Sequence, residues 1–379
     1  MALSLFDCET QRARSPINLN PPFRILCIAG ARPNFMKLAP LFRAFSRYPE
    51  FSPALIHTGQ HYDDRMSGQF FRDLGLPTPV YNLEVGSGSH AQQTAEIMKR
   101  FEPVVLQENP QAVLVVGDVN STAACALVAK KLGVFVIHVE AGLRSFDRSM
   151  PEEINRLVTD AISDLLLVTE ESGMRNLQNE ASAPDKIHLV GNLMIDSLLF
   201  NLERSRRSKI LDELGLRDQP FGLVTLHRAA NVDDQQHLQE LLGALRAISN
   251  DLVLYFPVHP RTRTRLENSD LGPRILLLDP LGYLDFVCLM SNSAVVLTDS
   301  GGVQEETTAL GISCLTLRNN TERPITIEEG TNRLAGTSYE SILDAWRKLK
   351  NSPKSAKIPR FWDGEAAGRC VDAIRMALQ

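Results

Sequence analysis

The sequence predicts an α/β protein made of two doubly wound domains, each with a parallel sheet covered by helices on both faces. From Arg24 onward, short apolar runs rich in β-branched residues alternate with helical patterns, which is the order of parallel strands joined by helical crossovers. The chain has 379 residues, whereas one hydrophobic core stops growing at roughly 250–300 residues. Two domains are therefore expected.

The first domain is predicted over residues 23–190. Its apolar runs are RILCIAG, PALIHTG, AVLVVGD, VFVIHVEAG, LLLVTE and IHLVG, and helices are predicted from about Asn34 and near DDRMSGQFFRDLG. Strands this apolar are typical of a sheet that is buried on both faces. Residues 1–22, which end in NLNPP, are predicted to be a weakly ordered extension.

The pattern starts again after Gly191 and predicts a second domain over residues 191–361. Its apolar runs are FGLVTLHR, LVLYFPVHP, RILLLDP, AVVLTDS and SCLTLR. The last segment, residues 362–379, has the apolar spacing of a helix. That spacing alone is compatible with packing on either domain.

Composition and charge exclude several classes of protein. A formal net charge of −5 argues against nucleic acid as a partner. The six cysteines form no Cys-x-x-Cys pair and lie mostly in apolar runs, as expected of core residues in a reduced compartment. No run approaches the roughly 18 apolar residues that span a bilayer, and the first residues lack the apolar core of a signal peptide. We therefore expect a cytoplasmic protein without membrane insertion.

Polar side chains follow the predicted strands directly. In parallel α/β sheets, ligands bind beyond the carboxyl ends of the strands. The residues found at these positions are Arg32, Asp118, Glu140, His227, His259 and Ser300.

The first of these turns, AGARPNFMK, is suited to an anion. Gly30, Arg32 and Lys37 lie between a strand and the start of a helix, where free backbone N–H groups and the helix dipole favour negative charge. The turn matches neither the dinucleotide-binding glycine pattern nor the Walker loop, so it lends no support to bound NAD or ATP. The alternative is a tight turn with cations that face solvent.

A second anion site is predicted in TDSGGVQEE. Asp299 or Ser300 is expected to cap a helix, and Gly301 and Gly302 would let a diphosphate approach its backbone closely. Glu306 would then accept hydrogen bonds from ribose hydroxyls. A well-capped helix without a ligand is the alternative.

Three carboxylates stand at the ends of strands or the start of a helix in the first domain. Asp118 follows LVVG, Glu140 follows VIHV, and Glu152 follows Pro151. Each by itself is more often a helix cap or a structural ion pair. Together they suit proton transfer and stabilisation of an oxocarbenium-like carbon.

Histidines end two strands of the second domain. Neither His227 nor His259 belongs to a metal-binding spacing, and each by itself is more often a hydrogen-bonded core residue. His227 could nevertheless combine with Arg32 and Arg323 to neutralise a diphosphate without a metal ion.

Nine ordered motifs resemble one family. They are GARPNFMKLAPL, GDVNSTAACALVA, HVEAGLRS, PEEINR, GNLMIDSL, LVTLHR, PVHP, TDSGGVQEE and TERPITIEEGTN. In this order they are similar to the non-hydrolysing UDP-N-acetylglucosamine 2-epimerases, from about Arg24 to the C-terminus. The resemblance implies a GT-B-like pair of Rossmann-like domains with the active site in the interdomain cleft, helix 362–379 returning to the first domain, and a homodimer.

The resemblance also implies a reaction. Members of the family interconvert UDP-N-acetylglucosamine and UDP-N-acetylmannosamine by expelling UDP from C1, losing the C2 proton to give 2-acetamidoglucal, and adding both back. This route requires no cofactor. Bacterial members often bind a second UDP-GlcNAc as an allosteric activator.

The family's site residues carry over motif by motif. Asp118, Glu140 and Glu152 resemble its acid/base and cation-stabilising carboxylates, with the division of roles left open. His227 resembles a catalytic leaving-group contact. The substrate-binding positions are Arg32, Lys37 and His227 for the diphosphate, Ser300, Gly301 and Gly302 for the helix start, Glu306 for ribose, Phe286 for uracil and Arg323 for a further nucleotide contact.

Some positions depart from the family pattern. Asn34 replaces a common Glu, Ala230 stands where Glu often follows the His-Arg pair, and Leu281 replaces a common Gln. The segment TGQHYDDRM only partly resembles the region associated with activation. Sugar preference and allosteric activation therefore stay open.

Three alternatives remain beside the non-hydrolysing epimerase. A hydrolysing epimerase would release N-acetylmannosamine and UDP through the same glycal. A glycosyltransferase of the same architecture would need an acceptor and would leave the C2–H bond intact. A UDP-sugar sensor would bind without catalysis, but the three carboxylates argue against it because binding does not require them.

Overall fold

The structure is a computed structural model, and the residues it describes are 21–59, 74–258, 260–266, 269–352 and 357–379. Nearly all of the predicted extension 1–22 lies outside this part of the chain. So do most of the helix predicted near DDRMSGQFFRDLG and most of the segment TGQHYDDRM.

The first half of the chain forms a parallel sheet of seven strands in the order β3-β2-β1-β4-β5-β6-β7. The strands are β1 (Phe23–Ala29), β2 (Phe51–His57), β3 (Tyr81–Asn82), β4 (Ala112–Val116), β5 (Phe135–Ala141), β6 (Leu165–Val168) and β7 (Ile187–Leu189). The central strands are buried along their length, which explains why they are apolar on both faces. β1 lies between β2 and β4, so the strand order reverses beside it.

Helices cover both faces of this sheet. They are α1 (Arg32–Phe45), α2 (His90–Glu108), α3 (Asn120–Lys131), α4 (Pro151–Ile162) and α5 (Glu171–Asn179). Helix α2 begins at a capping box in which the Ser89 side chain accepts from the Gln92 amide. Helix α4 begins with Pro151, whose missing N–H is one that the first helical turn leaves unbonded anyway.

The second half forms a parallel sheet of six strands in the order β10-β9-β8-β11-β12-β13. The strands are β8 (Phe221–Thr225), β9 (Val253–Pro257), β10 (Ile275–Leu278), β11 (Val295–Thr298), β12 (Cys314–Thr316) and β13 (Asn332–Leu334). Its helices are α6 (Leu193–Ser205), α7 (Ile210–Glu213), α8 (Ala229–Val232), α9 (Gln235–Ser249), α10 (Pro260–Leu266), α11 (Tyr283–Asn292), α12 (Gly301–Leu310), α13 (Ile325–Glu328) and α14 (Tyr339–Asn351). The protein is thus an α/β protein with two Rossmann-like sheets, in a GT-B-like arrangement.

The last helix, α15 (Ala366–Leu378), packs against α1 of the first half. The carboxylate of Asp196 on α6 accepts hydrogen bonds from the backbone N–H groups of Ala366 and Ala367, at 3.2 and 2.8 Å. Arg369 donates to the Val190 carbonyl at 2.9 Å. The apolar spacing of this helix was compatible with either domain. In the structure it packs on α1 of the first half and on α6.

The cysteines that the structure describes are core residues. Cys27, Cys125, Cys288, Cys314 and Cys370 are free and buried. Burial raises the pKa of the thiols of Cys27, Cys125 and Cys370 far above its ordinary range, so they pack as small apolar side chains. Across the described ranges, no helix is both long enough and apolar enough to cross a membrane.

Candidate active site

A cavity of about 1520 Å³ lies between the carboxyl ends of the two sheets. Both halves of the chain contribute to its lining. The sequence-predicted residues that line it are Lys37, Asp118, Glu152, His227, Phe286, Ser300, Gly301, Gly302, Glu306 and Arg323. Because parallel strands end at a common edge, residues far apart in sequence meet here.

Two predicted positions lie outside what the structure describes. The backbone of Arg32 begins α1, but its side chain is not among the described parts of the chain. His259 is likewise outside the described residues.

Glu140 adopts an unusual backbone conformation at the end of β5. Its φ is +71°, and the pairing of β5 with β6 shifts register between Val139 and Ala141. A non-glycine residue in a sparsely populated backbone region costs about 1–3 kcal/mol, and such strain clusters at functional sites. The bulge places the Glu140 side chain against Lys37 and Arg323.

The Glu140 carboxylate is buried and paired on both sides. The Lys37 ammonium donates to Oε2, and Nη2 of Arg323 lies 2.6 Å from Oε1. Burial by itself would raise the pKa of Glu140, but the charges of Lys37 and Arg323 outweigh burial and hold that pKa below its usual range. Glu140 itself is not among the residues that line the cavity. It lies behind Lys37 and Arg323, which do.

Asp118 follows β4 through a tight turn. Gly117 has φ +70°, and a Cβ atom there would lie 3.5 Å from both Lys37 Nζ and Glu140 Oε2. Nε of Arg156 donates to the Asp118 carboxylate at 3.1 Å. The Asp118 side chain is 31% exposed, so the carboxylate remains accessible from the cavity.

The neighbouring glutamates of PEEINR have different surroundings. Glu152, in the first turn of α4, is partly exposed and lines the cavity. Glu153 is buried and accepts hydrogen bonds from the backbone of Ser145 and Phe146, at 2.9 and 3.0 Å. Glu152 thus faces the cavity, whereas Glu153 holds the preceding loop.

The start of α12 forms the opposite wall. Ser300 is the N-cap residue of this helix, as expected, but no side-chain hydrogen bond from Ser300 or Asp299 caps it. The Asp299 carboxylate instead accepts from the backbone N–H groups of His227 and Arg228, at 3.1 and 3.0 Å. Without a capping side chain, the helix terminus keeps the dipole and the N–H groups that bind anions.

The Asp299 carboxylate also orients the imidazole ring of His227. Nδ1 of the imidazole lies 2.8 Å from Asp299 Oδ1, while the side chain is 57% exposed in the cavity. Burial would raise the pKa of Asp299, but the hydrogen bond and charge of His227 keep that pKa below its usual range. Asp299 therefore stays ionised and holds the ring beside the helix start.

Arg323 lies among three buried carboxylates. Besides Glu140, its guanidinium contacts Glu305 and Glu322, both at 2.8 Å. Burial lowers the pKa of Arg323, but the three carboxylates raise it well above its ordinary value. The guanidinium is thus a fixed positive charge between the two halves. Its role as a nucleotide contact stays a prediction.

Sequence reasoning missed Glu305, Glu322 and Tyr283. Both glutamates line the cavity beside Arg323, and Tyr283 donates to Glu306 Oε1 at 2.9 Å. Two sequence positions could have indicated the glutamates: Glu305 directly precedes Glu306 in GGVQEE, and Glu322 directly precedes Arg323 in TERP. Within the described residues, no group of three or more His, Cys, Asp or Glu side chains is placed to hold a metal ion.

Known proteins are similar to this chain in both sequence and structure. The family model for UDP-N-acetylglucosamine 2-epimerase matches residues 43–375. A Methanococcus maripaludis protein named UDP-N-acetylglucosamine 2-epimerase homolog is 45% identical over 360 residues, which cover 93% of this chain and 99% of the relative. A Pseudomonas aeruginosa protein named UDP-2,3-diacetamido-2,3-dideoxy-D-glucuronate 2-epimerase is 43% identical over 355 residues, with the same two coverages of 93% and 99%.

A solved structure is similar over nearly the whole chain. It is the crystal structure of Methanocaldococcus jannaschii UDP-GlcNAc 2-epimerase in complex with UDP-GlcNAc and UDP. The TM-score is 0.87 at 41% identity, and the match covers 93% of this chain and 99% of that chain.

Proposed function

The chain belongs to the UDP-N-acetylglucosamine 2-epimerase family, and on that premise we propose that it interconverts UDP-N-acetylglucosamine and UDP-N-acetylmannosamine without releasing the free sugar. Members of this family are isomerases, and this chain is an enzyme of that class.

One observation carries the proposal. A single cavity has accessible carboxylates on one wall, Asp118 and Glu152, and an uncapped helix start, Ser300–Gly302, on the other. The helix start suits the diphosphate of a UDP-sugar, whereas the carboxylates suit proton exchange at the sugar. A binding protein would need the first feature alone.

The first half of the reaction breaks the C1–O bond, and the oxygen of UDP takes the electron pair. The helix start, Lys37 and His227 stabilise the charge that develops on the diphosphate. The C2 proton moves to a carboxylate, and the C–H electron pair becomes the C1–C2 double bond of 2-acetamidoglucal.

The second half adds a proton to the other face of C2 and returns UDP to C1. The sum of the two halves is an isomerisation without net oxidation or reduction. Asp118 and Glu152 line the cavity and exchange the protons. Glu140, buried between Lys37 and Arg323, keeps these two cations in position.

Incubation of the protein with UDP-GlcNAc in D₂O, followed by NMR of the sugar, tests this route. Elimination and re-addition exchange the C2 hydrogen with solvent, so we expect deuterium at C2 in both epimers with UDP still attached. The assay includes an excess of UDP-GlcNAc, so that any requirement for an activating second molecule is met. A fully protonated C2 after long incubation overturns the proposal.

The same spectra separate the alternatives. A hydrolysing epimerase would accumulate UDP and free N-acetylmannosamine. A glycosyltransferase or a sensor would leave C2 fully protonated. Only the non-hydrolysing route yields deuterated UDP-linked epimers.

The name of the Pseudomonas aeruginosa relative suggests a second candidate substrate. Epimerisation at C2 of UDP-2,3-diacetamido-2,3-dideoxy-D-glucuronate is the same chemistry on a sugar that also carries a carboxylate and a second acetamido group. Comparison of kcat/KM for the two nucleotide sugars decides between them. A higher value for UDP-GlcNAc supports the proposal, and a higher value for the diacetamido sugar transfers the assignment to that substrate.

We also propose that the protein is a homodimer, an expectation that comes from the family resemblance. Light scattering on the purified protein should give twice the chain mass of 42.1 kDa. A mass of one chain contradicts it.

A further inference from the structure

The turn that carries Asp118 is held by side chains from three other elements. The three successive carbonyls of Val116–Asp118 each accept a hydrogen bond, in chain order from Asn34 on α1, His138 on β5 and Asn155 on α4. The distances are 3.0, 2.9 and 2.9 Å. Successive backbone carbonyls held in this way leave the turn little freedom to rotate.

Of these three donors, His138 is the titratable one, and both of its ring nitrogens have a partner. Its side chain is fully buried, Nε2 lies 2.9 Å from the Gly117 carbonyl oxygen, and Nδ1 lies 2.6 Å from Asp160 Oδ1. A carbonyl oxygen only accepts, and so does an ionised carboxylate. The arrangement is therefore fully satisfied when both ring nitrogens donate, which is the imidazolium form.

Asp160 is itself held in place. Its Oδ2 accepts from the Gly142 amide at 3.0 Å and lies 2.7 Å from Nη2 of Arg144. Burial by itself would raise the pKa of Asp160, but the charges and hydrogen bonds of His138 and Arg144 hold that pKa below its usual range. The carboxylate thus fixes the ring of His138 from the side opposite Gly117.

The pair also connects two of the candidate catalytic residues. Asp160 lies on α4, the helix whose first turn contains Glu152. Gly117 directly precedes Asp118 in the chain. The Gly117 carbonyl and the Asp118 amide belong to one planar peptide unit, so holding the oxygen fixes the direction in which the Asp118 Cα leaves the turn.

We propose that His138 is a positioning residue for Asp118, which holds the Gly117 peptide through Nε2 while Asp160 holds the ring through Nδ1. His138 does not touch substrate in this proposal. The inference rests on the proposed function, because the orientation of Asp118 matters to turnover only if that carboxylate exchanges a proton with the sugar.

Two substitutions separate the two hydrogen bonds of the ring. His138→Gln places an amide N–H near the position of Nε2 and keeps the bond to Gly117. His138→Asn places one near Nδ1 and keeps the bond to Asp160 but releases Gly117. The control is His188→Gln, because His188 is a half-buried histidine on β7 that is not among the residues lining the cavity.

We expect the Asn variant to lose about 100-fold in kcat, the size of effect that a misplaced catalytic group produces. The Gln variant should retain at least about a tenth of the wild-type kcat, since it keeps the orienting bond. KM and the affinity for UDP should change less than about twofold in both, because neither hydrogen bond contacts the nucleotide. Equal kcat values for the Asn and Gln variants overturn the proposal, and so does a change in KM alone.

A measurement on the unsubstituted protein keeps the test independent of folding and of activity. ¹⁵N NMR of histidine-labelled protein should show both ring nitrogens of His138 protonated, with N–H protons protected from exchange. An Nε2 without a proton overturns the proposal, because it cannot donate to Gly117. If C2 exchange fails while both nitrogens are protonated, the proposed function is refuted rather than the hydrogen-bond arrangement.

Discussion

Nη2 of Arg323 lies 2.6 Å from Oε1 of Glu140, so a buried ion pair joins the second half of the chain to the first beside the cavity. Lys37 binds the other oxygen of the same carboxylate. The relative position of the two cavity walls is therefore tied to an electrostatic contact, and substitutions at this contact should affect both stability and catalysis.

Substitution of Asp118 by Asn or of Glu152 by Gln should lower turnover by roughly 10²–10⁴-fold, because each keeps its shape but loses the ability to exchange a proton. Affinity for UDP, measured by calorimetry, should change little. Glu203→Gln is the control, since Glu203 is 72% exposed on α6 and pairs with Arg206 at the surface. A variant with near-normal turnover would remove that carboxylate from the catalytic set.

Gly301→Ala should weaken UDP binding by about tenfold or more, the size of one lost charge-assisted hydrogen bond. A Cβ atom there would lie 2.9 Å from Arg323 Nη1 and 3.0 Å from Glu322 Oε1, so either the helix start or these two side chains must shift. Gly368→Ala in α15 is the matched control, because a Cβ atom there meets nothing within 4 Å. Unchanged UDP affinity in the Gly301 variant would contradict a diphosphate site at this helix start.

Arg323→Ala should lower the free energy of unfolding by about 3–5 kcal/mol, because it removes the cation that three buried carboxylates share. Urea denaturation measures this, with Arg206→Ala at the surface as a control that should shift stability by less than about 0.5 kcal/mol. Calorimetry of the same variant with UDP tests the nucleotide contact that the family resemblance implies. An unchanged unfolding midpoint would show that Arg323 is not essential to the contact between the halves.

The stability of the protein should fall as pH rises toward 8, in part through Glu170. Burial raises the pKa of this carboxyl from 4.5 to about 8; a hydrogen bond from Ser172 opposes the shift, and the charge of Glu305 adds to it. A carboxyl with a higher pKa when folded binds more protons in the folded state, so its contribution is complete below about pH 4.5 and is lost by about pH 8.

Glu170→Gln should remove this part of the pH dependence. Between pH 6 and 8 we expect the wild-type free energy of unfolding to decline more steeply than that of the variant, by at most about 1.4 kcal/mol per pH unit. Glu203→Gln is again the control and should keep the wild-type slope. Parallel curves for the Glu170 variant and the wild type would place the pKa of Glu170 near its ordinary value.

Most strands could be predicted because their signal is local. Each apolar run named from the sequence is a strand in the structure, since a sheet covered on both faces requires continuous apolar residues. The strands Tyr81–Asn82 and Asn332–Leu334 were missed. Their sequences, YN and NRL, contain no apolar run, which was the signal that marked the other strands.

Part of the candidate site could also be predicted, because residues that follow parallel strands meet at one edge of the sheet. Asp118 and Ser300 follow strands of two parallel sheets, and the structure places both on one cavity. The side-chain cap expected from Asp299 or Ser300 is absent, and the Asp299 carboxylate instead binds the backbone and ring of His227, 72 positions away. Local capping rules consider only the nearest helix.

The sequence by itself determined the two sheets, the edge at which the polar residues gather and the resemblance to one family. Only the tertiary structure decided which charges meet there: Glu140 with Arg323, 183 positions apart, and His138 with Asp160. The physical reason is the distance along the chain over which each interaction acts. Strand and helix patterns arise from neighbours along the chain, whereas an ion pair depends on a few ångströms of separation that are set by how the two sheets and their helices pack.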